Sequence, residues 1–168
     1  KSRVVRAMPN TPALASAGAT AIAPGARARD EDLAIARALF ASVGRVVQVD
    51  EAQMDAVTAV SGSGPAYVFL MAEAMIEAAT TLGLARDVAT TLTLQTIFGA
   101  GKLLIESSED AAALRRRVTS PAGTTAAGID KLESGRFREL IAACLEAARA
   151  RGEELGAEVS ANLKPSRS

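Results

Sequence analysis

The chain has 168 residues, 49% of them apolar, and its nineteen basic side chains offset nineteen acidic ones. That length can bury a core, and the balanced charge gives no positive excess with which to hold nucleic acid or an anionic membrane surface. There is no histidine and only one cysteine, Cys144, which excludes imidazole acid–base chemistry, an internal disulfide and the usual zinc ligand sets.

The first fifty residues alternate short β-branched runs with Pro/Gly turns. RVVRAM (3–8), GATAIAPG (18–25) and GRVVQVD (44–50) read as strands, and residues 30–42 read as a helix with Asp30 as its N-cap. Strand, strand, helix, strand is an incomplete sheet, so further β-α units are expected upstream. The start KSRVVRAMPN lacks the apolar centre of a secretory signal, which makes a reducing cytoplasm the expected compartment. Neither G-x-G-x-x-G nor a Walker A pattern occurs, so the phosphate-binding loop for any nucleotide is not in this chain.

From residue 51 the pattern changes to Ala/Leu-rich segments with apolar spacing of three and four. They predict helices over 51–60, 65–82, 86–107, 109–118, 124–133 and 137–158. The division is therefore a sheet remnant over 1–50 and an all-helical domain over 51–168. SGSG (61–64) follows a helix rather than a strand and reads as a helix break, with Ser63 as N-cap and Pro65 at the first helical position. The longest apolar run, residues 65–72, is too short to cross a bilayer. Segments 65–82 and 86–107 are apolar around most of their circumference, more than a small monomer can cover, so a homodimer is expected.

Several features default to structure. Glu73 and Glu77 lie one turn apart and mark a wet stripe, Cys144 reads as a small core residue, and LRRR (114–117) places cations in a last helical turn, where they complement the dipole. The polar tail SANLKPSRS (160–168) is expected to fray.

VTSPAGTT (118–125) carries the most chemistry. Pro121 ends the preceding helix and biases Ser120 toward extended backbone, while Gly123 permits positive φ. Thr124 and Thr125 then open the next helix, so free N–H groups and hydroxyls converge at the positive end of a dipole and attract a small carboxylate. An ordinary turn with a threonine cap has the same signature.

RAMPNTP (6–12), DAVTAVSGSGPAY (55–67), VTSPAGTT (118–125) and LESGRFRELI (132–141) occur in an order and spacing that resembles the pyrroline-5-carboxylate reductase family, over roughly residues 3–155. The resemblance implies NAD(P)H-dependent reduction of 1-pyrroline-5-carboxylate to L-proline. It also implies a Rossmann domain followed by a helical domain like the C-terminal domain of 6-phosphogluconate dehydrogenase, in an intertwined homodimer that often builds a decamer. Residues 1–50 would be the end of the Rossmann sheet, and 51–168 the dimerisation and substrate-binding domain. Without the phosphate-binding loop, the isolated chain is expected to be inactive.

By the same resemblance, Met8, Pro9 and Asn10 lie beside the nicotinamide. Ser120, Gly123, Thr124 and Thr125 hold the substrate carboxylate, and Thr125, near the ring nitrogen, has the catalytic role. Glu51 matches an acidic position near the site, although a carboxylate in a first turn also serves as a dipole partner. Ala122 stands where the family usually has glycine, which puts the backbone angle there in question. A chain without histidine suits this chemistry, because a protonated imine is already electrophilic and positioning supplies much of the rate. The alternative from another class is a non-catalytic helical dimerisation module that kept the fold.

Overall fold

The computed structural model describes residues 2–162, so the end of the tail expected to fray, from 163 onward, lies outside the described residues. Two compact units divide them: 2–67 with 141–162, and Val68–Leu140.

The first unit is built on three strands, β1 (Val5–Met8), β2 (Gly18–Pro24) and β3 (Gly44–Gln48), in the order β1-β2-β3. β1 runs antiparallel to β2, with Met8 opposite Ala21, and β3 runs parallel to it, with Gly18 opposite Gly44. The β2–β3 crossover is α1 (Asp30–Ala41), which packs on all three strands. At the Gly18–Gly44 pair a Cβ on Gly44 would stand 2.0 Å from the Gly18 carbonyl oxygen, so the close start of this parallel pair requires glycine.

Alternation along β2 sends its side chains to opposite faces. Ala21 and Ala23 meet Met54 in a buried cluster, with Met8, Val49 and Val57 packed against it. Ile22, fully buried, belongs to the other face. The N-cap of α1 is Arg29 rather than Asp30, because the Asp32 carboxylate accepts the Arg29 backbone N–H at 2.9 Å and fixes the start one residue earlier. Asp30 is instead one of three acids in the first turn, which favour its positive end. A 3₁₀ turn, Thr11–Ala15, joins β1 to β2 and has no signature in the sequence pattern.

The segment after β3 is helical but irregular. A 3₁₀ turn (Glu51–Gln53) leads into α2 (Met54–Val57), a π turn (Thr58–Gly62) and α3 (Gly64–Thr81). SGSG therefore does not break the helix. Ser63 has helical angles, φ −84° and ψ −23°, and donates its N–H to the Thr58 carbonyl at 2.8 Å, five residues back. A π turn inserts one residue without ending the rod, which is how two glycines and a proline are absorbed.

The second unit contains most of α3, together with α4 (Arg86–Glu106), α5 (Ala111–Arg117), α6 (Thr124–Ser134) and the start of α7 (Phe137–Asn162). Asp110 caps α5 by accepting the Ala113 N–H at 2.7 Å. The large apolar side chains of this unit are mostly exposed: Phe69, Leu70, Phe98 and Ile105 are 60%, 64%, 63% and 74% accessible. Glu73 and Glu77 are exposed, but so is most of α3, whose one buried residue is Ala72, so they do not mark a separate wet stripe. Cys144, on α7 in the first unit, is half-buried rather than a core residue.

By length and composition alone, Glu51–Thr81 and Arg86–Glu106 are apolar enough to cross a membrane. This corrects the reading from uninterrupted runs. Thr and Gly break the runs without adding charge, so the whole-helix average stays high.

Candidate active site

The residues singled out in the sequence fall into two groups, one in each compact unit. In the first unit, the end of β1 and the 3₁₀ turn form one wall of a cleft of about 740 Å³, and Phe40, Val43, Thr58, Gly62 and Ser63 supply the rest. Met8, Pro9 and Asn10 all line it. Met8 is held by the core cluster beneath it, and Pro9 is exposed. Asn10 is half-buried, and both ends of its carboxamide are engaged: Nδ2 donates to the Ser61 carbonyl at 3.1 Å, and Oδ1 accepts the Ala19 N–H at 2.9 Å.

Glu51 is an exposed side chain at the first residue of its 3₁₀ turn, paired with the Arg6 guanidinium on β1. Both partners are exposed, so the pair adds little stability. It does tie the first helical turn to the strand that leads into Met8. Cleft residues that sequence reasoning does not assign are Thr58, Gly62, Ser63, Phe40 and Val43. The signal available for Gly62 and Ser63 is the SGSGP string, which by local rules reads as a break.

In the second unit, α5 ends in Arg115, Arg116 and Arg117. Arg117 pairs with Glu109 at 3.0 Å and Arg115 with Glu133 at 3.3 Å. Glu133 also accepts three hydrogen bonds from Arg138. The Arg138 hydrogen bonds, with the added attraction of both guanidinium groups, hold the Glu133 carboxyl below its ordinary pKa. This network brackets the segment between α5 and α6.

Within that segment Thr119 Oγ1 donates to the Arg115 carbonyl at 2.6 Å, and Gly123 N–H donates to the Ser120 carbonyl at 3.1 Å. Ser120-Pro121-Ala122-Gly123 is thus a β-turn with proline at its second position. The positive φ falls on Ala122 (57°), not on Gly123, whose angles are extended (φ −81°, ψ 169°). Proline at the second position is compatible with a turn whose third residue has positive φ, and an alanine held there costs about 1–2 kcal/mol. The Ala122 departure from the family pattern therefore falls on the one strained angle of the turn.

Gly123 is needed for another reason. A Cβ there would lie 2.4 Å from Ser120 Oγ and 3.1 Å from the Ser120 carbonyl oxygen. Gly123 is also the N-cap of α6, so neither threonine caps the helix. Only the Ala127 N–H reaches back to the Gly123 carbonyl, at 3.2 Å. The N–H groups of Thr124, Thr125 and Ala126 precede it and are the orphan donors of a helix start. Among the described residues, the hydroxyls of Ser120, Thr124 and Thr125, all exposed, have no hydrogen-bond partner. Unused donors and hydroxyls at the positive end of an eleven-residue helix form an anion-binding surface for a carboxylate-sized group.

Residues 51–155 match the family model for pyrroline-5-carboxylate reductase dimerisation. The chain belongs to that family. A pyrroline-5-carboxylate reductase from Synechocystis is 50% identical over 153 residues, which cover 91% of this chain and 57% of the relative. The solved pyrroline-5-carboxylate reductase from Coxiella burnetii superposes with a TM-score of 0.89 at 45% identity, over 92% of this chain and 57% of that one. The Plasmodium falciparum pyrroline carboxylate reductase, solved with NADP bound, has a TM-score of 0.86 at 33% identity, over 93% and 63%. The chain thus spans a little over half the length of these relatives. The matched fold is the expected one, a helical dimerisation domain with a small sheet before it.

Proposed function

We propose that this chain is the dimerisation and substrate-binding part of an enzyme that reduces 1-pyrroline-5-carboxylate to L-proline with NADPH or NADH, the last step of proline biosynthesis, in the cytoplasm. The observation that carries this reading is the start of α6, where three orphan N–H groups and the free hydroxyls of Ser120, Thr124 and Thr125 are displayed together. A helix N-terminus holds a carboxylate without adding a buried side-chain charge, as a small anionic imine requires.

In this reading Ser120, Gly123 and Thr124 hold the carboxylate, and the Thr125 hydroxyl orients the ring nitrogen. Residues 1–50 are the end of a dinucleotide-binding sheet, and 51–168 are the helical domain. The cleft at Met8, Pro9 and Asn10 fits the nicotinamide end of the cofactor: it is roomy, and its walls mix apolar Met8, Phe40 and Val43 with polar Thr58 and Ser63. A nicotinamide dinucleotide bound there supplies the hydride. Glu51, the acidic position expected near the substrate, is paired with Arg6 and so steadies the β1 wall of that cleft. The apolar faces of α3 and α4 are covered by a second copy of the chain, and by the same family logic dimers join further into a decamer; neither a membrane nor nucleic acid is a partner.

The experiment is NADPH oxidation by the protein at its full natural length, with 1-pyrroline-5-carboxylate as substrate. Turnover is expected there, and none from residues 1–168 alone, which have no phosphate-binding loop. A correctly folded full-length protein with no turnover on either cofactor would leave the non-catalytic dimerisation module as the better description.

A further inference from the structure

The motifs MPNTP and SGSGP meet at one atom, the carbonyl oxygen of Ser61. In a regular helix that oxygen would accept the N–H four residues on, which here belongs to Pro65 and does not exist. The next N–H, that of Ala66, goes to Ser63 at 3.0 Å. The Ser61 carbonyl belongs to a half-buried residue and would be costly to leave unpaired. Asn10 Nδ2 donates to it at 3.1 Å, taking the place of the missing backbone donor.

The other end of the same carboxamide accepts the Ala19 N–H at 2.9 Å, so the planar group is fixed from both sides. The contact clamps the chain after β1 to the π turn. These segments are the two walls of the 740 Å³ cleft, with Met8, Pro9 and Asn10 on one and Thr58, Gly62 and Ser63 on the other. Their approach is close, since a Cβ on Gly62 would lie 3.7 Å from Met8 Sδ.

We propose that Asn10 is a positioning residue that sets the width of the cofactor cleft by standing in for the N–H that Pro65 lacks, and that it acts on the cofactor through Met8, Pro9, Gly62 and Ser63. The assignment of the cleft to a nicotinamide rests on the proposed function; the pairing of Asn10 with Pro65 does not.

The test is a double-mutant cycle in the full-length protein. Asn10→Asp keeps an acceptor for Ala19 but presents no donor to Ser61. It is expected to raise the Kd for NADPH about tenfold, equivalent to about 1.4 kcal/mol. In a Pro65→Ala background the backbone N–H restored at that position can serve the Ser61 carbonyl, and the same change should cost about threefold or less. An equal loss in both backgrounds would show that Asn10 touches the cofactor directly and would overturn the proposal, as would no loss in either. If Asn10→Asp does not fold, recovery of folding on adding Pro65→Ala supports the proposal and failure to recover refutes it. Should the wild-type protein bind no NADPH, the functional reading fails. The positioning claim would still be read from Tm: a drop on Asn10→Asp that shrinks in the Pro65→Ala background sustains it, and an unchanged drop does not.

Discussion

The two compact units differ in where their cores come from. In the first, the large side chains that are fully buried, Ile22 and Met54, are covered by the strands and helices of the unit itself. In the second, among the described residues, burial is confined to Ala72, Ala89 and Thr93, while Phe69, Leu70, Phe98 and Ile105 stand open. A domain whose buried residues are two alanines and a threonine has not met its entropy cost from within. On the proposed function, a second copy covers the open apolar surface of α3 and α4, while the first unit is a scaffold that holds its shape without one.

The largest expected effect comes from attacking that surface. Phe98→Glu places a charge at a 63% exposed aromatic on α4. If the partner copy covers this face, burying the carboxylate should weaken association by about 3 kcal/mol or more, over a hundredfold. Light scattering should then show a dimer for the wild type at micromolar concentration and a largely monomeric, less stable variant. A stable folded monomer in the wild type would erase the contrast between the units.

Gly123→Ala sharpens the contrast from the functional side. The added methyl forces Ser120 Oγ, 2.4 Å away, to rotate out of the turn. The Ser120 carbonyl oxygen, 3.1 Å away, must also give by a small shift of the turn, so stability should fall by about 1 kcal/mol, while kcat/KM should fall about tenfold. Comparing Tm with steady-state kinetics checks both halves of this expectation.

Ala122→Gly has the opposite sign. Glycine relieves the positive φ of 57° but frees the unfolded chain. The balance should favour the variant by about 0.5–1 kcal/mol, read as a raised urea midpoint. No gain would mean that the turn is not held at that angle.

The smallest effect is electrostatic. Arg138 and Arg115 lower the pKa of Glu133 in the folded protein, so its contribution is present above the carboxylate's unfolded pKa and fades as pH falls through the lowered folded value. Glu133→Gln should therefore slightly flatten the acid limb of a stability–pH profile and leave neutral pH behaviour to the remaining charges. The group is exposed, so salt should suppress the difference.

Much of this architecture is legible because periodicity and punctuation agree. The three strands, α1 and the helices from Arg86 onward lie close to where the sequence places them, since a β-branched run marks each strand, apolar spacing of three and four marks each helix, and Pro9, Gly25, Pro121 and Gly135 punctuate several of the boundaries. The errors lie where a local residue type has two uses. Gly123 reads as the carrier of positive φ, but that angle falls on Ala122, the third residue of the turn, and Gly123 makes room for Ser120. SGSGP reads as a break, but a distant Asn10 supplies the donor that Pro65 removes and lets the rod continue. Such nonlocal compensation has no period and no spacing. The turn proposed to hold substrate is legible as a cluster of donors, although its threonines are also candidates for capping, a role that Gly123 takes.

The most direct measurement is kcat/KM of Thr125→Ala in the full-length protein, at a temperature where it stays folded. Because the Thr125 hydroxyl makes no hydrogen bond within the described fold, stability should stay within about 0.5 kcal/mol of the wild type, with Tm nearly unchanged. Loss of a polar contact to the ring nitrogen should cost about 1–3 kcal/mol in the transition state, lowering kcat/KM about ten- to a hundredfold. A folded Thr125→Ala enzyme with unchanged kcat/KM would contradict the assignment of substrate binding to the start of α6.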